Sequence, residues 1–392
     1  VRELKERYRL AVGLWHPTTG YWHGIDPQGE IAADPAYKDL LFWSQEGALV
    51  PSFRAGEINA YYQQLYRFYA DCGIDFVKVD NQACLRRYAK RVMPIGQAAR
   101  NLHRAVESSA GRYFGGQIIN CMGMTLENFW NRDSAVSRMS CDYLPDSRER
   151  FNLQLLQNSF NSLVQGSVYY GDWDMWWSYD SQALKNAAAH AVSGGPVYIS
   201  DQPGKSRKEV ILPLLFSDGR VIRLENPARP ALSCLFGDPQ TAGRPYKIFN
   251  REGENGVVVA YNVTPDGTAV EGGISPLVAG LDPDGVYCAY DRFSGEAAVL
   301  RGTDSLPVAL SHGDDFRMVL FVPVRAGRAV IGLRDKYVCF AGIRDGQALD
   351  DGEVLLYGTN TVCLNGVLVR AKPAGGGLYG LKVERGDRIA VE

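Results

Sequence analysis

The sequence predicts an α/β fold, a (β/α)₈ TIM barrel followed by an antiparallel β-sandwich. Three observations support this prediction. Strand-like and helical segments alternate over the first two hundred residues, each of these strands ends in polar or aromatic residues, and short strands separated by Gly, Asp and Pro follow residue 245. With 392 residues the chain is long enough for two domains. We predict a partial catalytic barrel over 1–245 and a β-sandwich over 246–392.

The barrel prediction depends on six parallel strands, expected near residues 12, 77, 118, 138, 169 and 198. The fourth lies in AVSRMSCDY (135–143) and the sixth in GPVYISDQPG (195–204). Helices are predicted between them, among them 57–72 and 95–109, from apolar residues at helical spacing. Six strands do not close an eight-stranded barrel, so we expect two further βα units upstream of Val1. A doubly wound sheet is disfavoured because no glycine-rich phosphate loop is present.

The sandwich prediction depends on short apolar segments with turn residues between them. They are GVVVAYNV, GVYCAYD, FRMVLFVPV, DKYVCFAGI (335–343), EVLLYG and GLKVERGDRIAVE (380–392). A proline-rich stretch at 227–245 precedes them and is the expected linker.

Composition excludes several function classes. Hydrophobic residues make up 46% and charged residues 22%, with a net charge of −2, and basic residues form no stripe. We therefore expect no nucleic-acid partner and no membrane association. The eight cysteines are scattered without a CxxC pair, so neither a metal site nor another cofactor is expected. A homo-oligomer is compatible with this composition. No signal peptide is visible, which favours the cytoplasm only weakly because the chain begins at Val1 without Met.

The segment IDFVKVD (74–80) carries the first candidate site. Strand alternation puts Lys78 and Asp80 on one face, while Val77 and Val79 point to the helices. An inward carboxylate at the end of a barrel strand can act as a nucleophile, with the lysine keeping it ionised. The alternative is a structural ion pair between strand ends.

The segment SRMSCDY (137–143) carries the second. A nucleophilic carboxylate needs a second carboxylic acid that protonates the leaving oxygen and then activates water. Asp142 can take this role, with Arg138 tuning it or binding substrate. The alternative is that the segment only leads into a helix, with Asp146 as its N-cap.

Further candidates lie at the ends of other strands. Asp172 and Asp174 flank Trp173 and together offer carboxylates for sugar hydroxyls and an indole for a sugar face; core filling is the alternative for any one Trp. Asp201 is either a hydroxyl ligand or a turn residue. Trp15 and His16 end the first strand, and for His16 substrate contact and simple loop hydrogen bonding are equally open.

Five motifs occur in the order VKVDNQ, INCM, SRMSCDYLP, YYGDWDMWWS and GGPVYISDQPGK. In this order and spacing they resemble glycoside hydrolase family 36 over residues 8 to 250 or so. The likeness is greatest to its branch of alkaline α-galactosidases, seed-imbibition proteins and raffinose synthases. The resemblance implies that Asp80 is the nucleophile and Asp142 the acid/base. It also implies that the galactose subsite is lined by Lys78, Cys121 and Arg138, with 172–174 near it.

The resemblance implies a retaining α-galactosidase that hydrolyses terminal α-galactosides of oligosaccharides through a covalent galactosyl-enzyme. A galactosyltransferase that passes the same intermediate to another sugar is the first alternative. A catalytically incomplete carbohydrate-binding protein is the second. The family's Asp-Asp-Gly-Trp motif and its N-terminal β-sandwich have no counterpart here, and Cys141 stands where relatives commonly have Asp.

Overall fold

The computed structural model describes residues 1–133 and 136–391. Its helices are α1 Arg2–Tyr8, α2 Glu30–Ala33, α3 Pro35–Lys38, α4 Ala55–Asp71, α5 Leu85–Ala89, α6 Ile95–Phe114, α7 Leu126–Phe129, α8 Arg148–Asn161, α9 Ala183–Ser193 and α10 Lys208–Ile211. The strands of its first 230 residues are β1 Gly13–Pro17, β2 Leu41–Trp43, β3 Leu49–Pro51, β4 Phe76–Asp80, β5 Ile118–Asn120, β6 Val136–Arg138, β7 Tyr170–Asp172 and β8 Arg229–Pro230.

The strands that follow are β9 Tyr246–Glu252, β10 Asn255–Tyr261, β11 Val270–Ile274, β12 Val286–Asp291, β13 Ala297–Arg301, β14 Leu306–Leu310, β15 Phe316–Pro323 and β16 Ala329–Leu333. The remaining ones are β17 Ile343–Arg344, β18 Gln347–Ala348, β19 Gly352–Tyr357, β20 Thr361–Leu364, β21 Val367–Arg370, β22 Lys372–Gly375, β23 Leu378–Val383 and β24 Ile389–Ala390. Contacts divide the chain into two compact units, the first covering 1–140 and 168–172, the second 141–167 and 173–392.

The first unit contains a five-stranded sheet in the order β1-β4-β5-β6-β7. Every neighbouring pair in it is parallel. Five of the six predicted strands are thus confirmed, in sequence order. The predicted fourth strand began at Ala135, which lies outside the described residues, and its described part is β6. Because all five strands run in the same direction, their carboxyl ends meet at one edge of the sheet.

The sixth predicted strand is wrong, because residues 195–204 do not form a continuous strand. Only Ile199 pairs, through an isolated parallel bridge to Trp176 that includes a 3.0 Å bond from Ser200 N to Trp176 O. The segment contains Pro196 and Pro203, which lack the N–H that a continued ladder requires. The segment therefore contributes a single bridge and no continuous strand.

The helix-facing side of the first sheet builds the core of the first unit. Val77 and Val79 are fully buried, and they belong to one apolar cluster with residues of α4 and α6 such as Tyr62 and Leu102. α4 and α6 match the predicted helices, and α6 continues to Phe114 before Gly115 ends it in a left-handed conformation. Alternation along β4 therefore turns the opposite face, with Lys78 and Asp80, away from this core.

The second unit is dominated by antiparallel sheets, the largest in the order β13-β12-β15-β10-β9-β8. Successive residues of β10 are buried on both of its faces. Val257 and Tyr261 share a cluster with Phe151 of α8, whereas Val258 and Ala260 share another with residues of β11 and β14. The predicted antiparallel character is confirmed, while the boundary at 245/246 stays a prediction.

One predicted strand of the second unit is wrong. Segment 335–343 forms turns and a 3₁₀ helix over Cys339–Gly342, and only its last residue, Ile343, belongs to a strand, the two-residue β17. Tyr337, Val338, Cys339 and Phe340 are all buried in succession, so the segment fills the core on every side and does not alternate like a strand. The predicted strand at 380–392 divides into the end of β23 and β24, with Glu392 outside the described residues.

No helix in the described part of the chain is long and apolar enough to cross a membrane.

Candidate active site

Asp80 ends β4 and is held by two N–H donors. Its Oδ2 accepts a hydrogen bond of 2.9 Å from the indole Nε1 of Trp15, and its Oδ1 accepts one of 2.6 Å from the backbone N of Asn81. The side chain is 7% exposed. Trp15 reaches it because Trp15 and Lys78 are register partners, which puts Trp15, Lys78 and Asp80 on the same face of the sheet. Both donors stabilise the negative charge that a nucleophilic carboxylate needs.

Cys121 and Arg138 complete the surroundings of Asp80. The Arg138 Nη1 donates to Cys121 Sγ at 3.6 Å, and both side chains are buried. Burial raises the pKa of the Cys121 thiol far above its ordinary value, Arg138 and Lys78 oppose the shift, and Asp80 adds to it through its charge and a hydrogen bond. Cys121 is therefore a neutral thiol. Asp80, Lys78 and Arg138 thus each lie close enough to Cys121 to act on its thiol, while their role in binding a sugar stays a prediction.

Asp172 lies at the same edge. It ends β7, is completely buried, and is the register partner of Arg138 on β6. The ends of β4, β6 and β7 thus contribute Asp80, Arg138 and Asp172, while Trp15 comes from the middle of β1 and Cys121 follows β5. This edge offers carboxylates, a guanidinium and an indole, which suits a ligand with many hydroxyl groups.

A buried amide and guanidinium network supports these strand ends, and sequence reasoning did not find it. Gln82 Nε2 donates to Asn120 Oδ1 at 2.7 Å. Arg132 Nη2 donates to Ser137 Oγ at 2.9 Å, and its Nη1 donates to Gln82 Oε1 at 3.3 Å. The network links the segments after β4, within β5 and within β6. Gln82 and Asn120 lie inside the quoted motifs VKVDNQ and INCM, which was the available signal.

His16 points the other way. Its Nε2 lies 2.9 Å from the hydroxyl of Tyr66 and its Nδ1 lies 3.1 Å from the carbonyl of Pro17. Burial lowers its pKa from 6.5 to about 4. Adjacent strand residues face opposite sides, so a Trp15 beside Asp80 places His16 on the helix side. These contacts favour the hydrogen-bonding alternative over substrate contact.

Asp142 lies in the second unit, four residues after the end of β6, and its side chain is exposed. Hydrogen bonds hold both the backbone N and the carbonyl O of the preceding residue, Cys141. Cys141 N donates to Gln157 Oε1 at 2.7 Å, and Gln154 Nε2 donates to Cys141 O at 3.0 Å. Gln154 and Gln157 are three apart on α8 and so share a face. The pKa of Arg150 is raised by its hydrogen bond to Cys141 and, more weakly, by the charge of Asp142.

The residue after Asp142 is fixed as well. Tyr143 N donates to Asp174 Oδ2 at 2.7 Å, and the Tyr143 hydroxyl bonds to Asp180. Asp174 is 2% exposed and adopts a left-handed φ of 75°, and its own carbonyl lies 3.0 Å from His190 Nε2. The exposed carboxylate of Asp142 is thus attached to a backbone that hydrogen bonds hold at both neighbouring residues. Asp174 was predicted to contact substrate, and its observed contact is with this loop.

Three other residues for which the sequence predicted a role make contacts that belong to the fold. Trp173 is 3% exposed within the core of the second unit, which favours the core-filling alternative. Asp201 accepts from Ser178 N at 2.7 Å and from Ser178 Oγ at 2.6 Å, which favours its role as a turn residue. Asp146 does not cap α8, which is a correction, because Ser147 accepts the capping bond from Arg150 N. In the described residues no group of three or more His, Cys, Asp or Glu is arranged to hold a metal ion.

Comparison with known proteins agrees with the motifs around Asp80 and Asp142. Residues 1–272 match the family model described as raffinose synthase or seed imbibition protein Sip1. The chain belongs to this family. Among its relatives is the probable galactinol–sucrose galactosyltransferase 6 of Arabidopsis thaliana, 32% identical over 67% of the chain and 37% of that protein. The probable galactinol–sucrose galactosyltransferase 1 of the same plant is 26% identical over the whole chain and 57% of its own length.

The family member described here therefore spans between about a third and somewhat over half of these relatives. Among solved structures it is similar to a GH27 β-L-arabinopyranosidase from Geobacillus stearothermophilus. The TM-score is 0.54 at 16% identity, covering 82% of this chain and 76% of the other. This likeness concerns the fold alone, and it confirms the predicted fold class, an α/β barrel followed by a C-terminal antiparallel β-domain.

Proposed function

We propose that this raffinose synthase family member cleaves α-galactosides of oligosaccharides with retention of configuration, through a covalent galactosyl-enzyme. The surroundings of Asp80 carry the proposal. A carboxylate at the end of a parallel strand, held by the N–H groups of Trp15 and Asn81 beside a neutral Cys121 thiol, is suited to nucleophilic attack.

The chemistry takes two displacements. Asp80 attacks the anomeric carbon while Asp142 gives its proton to the glycosidic oxygen, which leaves with the aglycone and yields a β-galactosyl ester. Asp142 then removes a proton from water as the water oxygen attacks the same carbon and Asp80 leaves. The product is α-galactose, and both carboxyl groups return to their starting states.

The assignment of Asp142 as acid/base is supported by its exposure and by the fixed backbone on each side of it. A general acid exchanges protons with the substrate and with water, so its carboxyl group must be accessible to both. Lys78, Arg138 and Asp172 are proposed to bind galactose hydroxyls at the carboxyl edge of the parallel sheet.

Galactosyl transfer is the second candidate, and the relatives favour it. Both relatives described above are named for transfer of galactose from galactinol to sucrose. Transfer requires the same galactosyl-enzyme and differs only in the molecule that attacks it. A sugar hydroxyl then takes the place of water in the second displacement, with Asp142 removing its proton.

The test is product analysis with galactinol as donor, in the presence and absence of sucrose. Free galactose supports hydrolysis, and a galactosylated sucrose supports transfer. Asp80→Asn and Asp142→Ala should each abolish product formation, whereas Asp71→Asn, at the exposed end of α4, should not change it. Full activity of Asp80→Asn overturns the proposal. Raffinose binding without any turnover of an α-galactoside favours a carbohydrate-binding protein instead.

A further inference from the structure

Three aromatic side chains cluster on the solvent side of Asp80. The rings of Trp15 and Trp22 have centroids 5.4 Å apart, and Tyr21 meets Trp15 edge-on at 6.5 Å. Trp15 is 39% exposed, Trp22 is 38% exposed and Tyr21 is 61% exposed. We call Tyr21 and Trp22 the aromatic platform. Large rings left in contact with water in one group indicate a surface that a ligand covers.

The backbone below the platform is fixed although its rings are exposed. The Tyr88 hydroxyl donates to Trp22 O at 3.1 Å, and the buried Thr19 Oγ1 donates to Tyr21 O at 2.6 Å. Asn81 Nδ2 donates in turn to Thr19 Oγ1 at 3.1 Å. A preorganised surface loses less conformational entropy when a ligand binds than a mobile one does.

The same loop is fastened to the strand that carries Asp80. Thr18 N donates to Asp80 O at 2.9 Å, and Thr18 Oγ1 donates to Asn81 O at 3.2 Å. From the other side the Tyr62 hydroxyl donates to Thr18 O at 2.9 Å. The distance from the platform to the Asp80 carboxylate is therefore set by short hydrogen bonds within one unit.

Two glycines allow the loop to take this course. Gly20 has φ +90°, and a Cβ there would lie 2.3 Å from Ile25 Cγ1. Gly24 has φ +101°, and a Cβ there would lie 2.5 Å from Leu49 O. Both positions require glycine because the conformation is left-handed and the space is occupied.

We propose that the platform binds the sugar ring next to galactose, that is, the leaving sugar of the donor and, when transfer occurs, the acceptor. This inference rests on the proposed function of Asp80. Attack by Asp80 fixes where the anomeric carbon lies, and Trp15 is hydrogen bonded to that carboxylate. The rings of the platform contact Trp15, so a saccharide of more than one ring that is held at Asp80 is within reach of them. The C–H face of a neutral sugar packs on an aromatic ring, so the ligand class is a neutral saccharide.

The test compares substrates with and without a second ring. α-Galactosyl fluoride has none, so Trp22→Ala and Tyr21→Ala should leave its turnover within about twofold of wild type. The kcat/KM for raffinose and the yield of transfer to sucrose should fall about tenfold in each variant, the size expected for one lost ring contact. Trp43→Ala, at an indole 59% exposed on β2, is the matched control and should change neither.

Equal loss on the fluoride and on raffinose would overturn the inference, because the platform would then support galactose or folding. No loss on either substrate would overturn it too. If wild type turned over no α-galactoside, the proposed function would fail separately. The platform is then tested by raffinose titration of tryptophan fluorescence, where a response that Trp22→Ala leaves unchanged contradicts it.

Discussion

Asp80 owes its environment to the alternation of one short strand. Val77 and Val79 are fully buried against the helices, so Lys78 and Asp80 take the opposite face, and the register brings Trp15 of β1 to that face. This much was predictable from the sequence, because period-two alternation decides which residues share a side. The hydrogen bond between Trp15 and Asp80 was not predictable, because it depends on the rotamers of both side chains.

Replacing Trp15 with Phe tests the indole N–H separately from the ring. A hydrogen bond to a charged group contributes about 1.5–3 kcal/mol, so kcat/KM on α-galactosyl fluoride should fall roughly 10- to 150-fold. Steady-state kinetics measure this, with Trp43→Phe as control. An unchanged kcat/KM would show that the bond to Asp80 at 2.9 Å has no role in the reaction.

Two buried histidines predict how stability depends on pH. Burial lowers the pKa values of His16 and His103 from 6.5 to about 4. Their native state is neutral, so below pH 6.5 the unfolded chain binds protons that the folded chain does not. The free energy of unfolding should fall by about 1.4 kcal/mol per pH unit for each histidine between pH 6.5 and 4, and be unaffected by them above 6.5.

Urea denaturation across that range measures the slope for wild type and for His103→Asn. The variant removes one titrating group, so its free energy of unfolding should depend less steeply on pH. An identical slope in wild type and variant would contradict the account of His103.

The loop after β6 is held by contacts that the sequence does not predict. Asp142 was identified from its motif. The side chains that hold its neighbours, Gln154, Gln157 and Asp174, come from α8 and from the segment after β7. Sequence spacing predicts that Gln154 and Gln157 share a helix face, but only the packed unit shows which backbone groups that face meets.

Replacing Asp174 with Ala should misplace the Asp142 loop. The acceptor for Tyr143 N is lost, and this half-buried N–H without a partner costs about 1 kcal/mol. We expect kcat/KM on raffinose to fall about 10- to 100-fold, because departure of a sugar needs a well-placed acid. Turnover of α-galactosyl fluoride should fall less, since fluoride leaves without one. Asp174→Asn keeps a side-chain oxygen acceptor and should recover most of the activity.

Azide distinguishes a variant that is inactive because its acid/base is misplaced from one whose fold is damaged. It attacks the galactosyl-enzyme without needing a base, so it should restore turnover of the fluoride by Asp174→Ala and give α-galactosyl azide. If azide restores turnover by Asp142→Ala but not by Asp174→Ala, Asp142 is the acid/base and the role given to Asp174 in positioning the Asp142 loop is wrong. If neither responds, the acid/base assignment itself is wrong.

For the whole molecule, alternating segments predicted the fold class correctly. The two failures, at 195–204 and 335–343, have a common cause. Short apolar runs are buried in strands, turns and 3₁₀ helices alike, and periodicity over so few residues does not distinguish them. The buried network around Arg132 was missed because polar residues inside a core leave no periodic signal.

The six-stranded sheet predicts a stability effect that is separate from catalysis. Phe321 on β15 is fully buried in the apolar cluster shared with β11 and β14. Phe321→Ala should lower the free energy of unfolding by about 3–5 kcal/mol and leave the kcat of the folded enzyme unchanged. Phe236→Ala, at a side chain 94% exposed, is the control and should be close to neutral. Urea denaturation beside kinetics distinguishes the two effects, and an equal cost for both variants would contradict the burial of Phe321.

Covalent labelling shows directly which carboxylate of the protein attacks the substrate. A galactose-configured cyclophellitol forms a stable ester with the attacking carboxylate, and tryptic cleavage after Lys78 and Arg86 releases VDNQACLR (79–86), whose one carboxylate side chain is Asp80. Tandem mass spectrometry should find the label on Asp80, reduced by excess galactose and absent in Asp80→Asn. A label on Asp142 or on any other carboxylate, with Asp80 unmodified, would contradict the account.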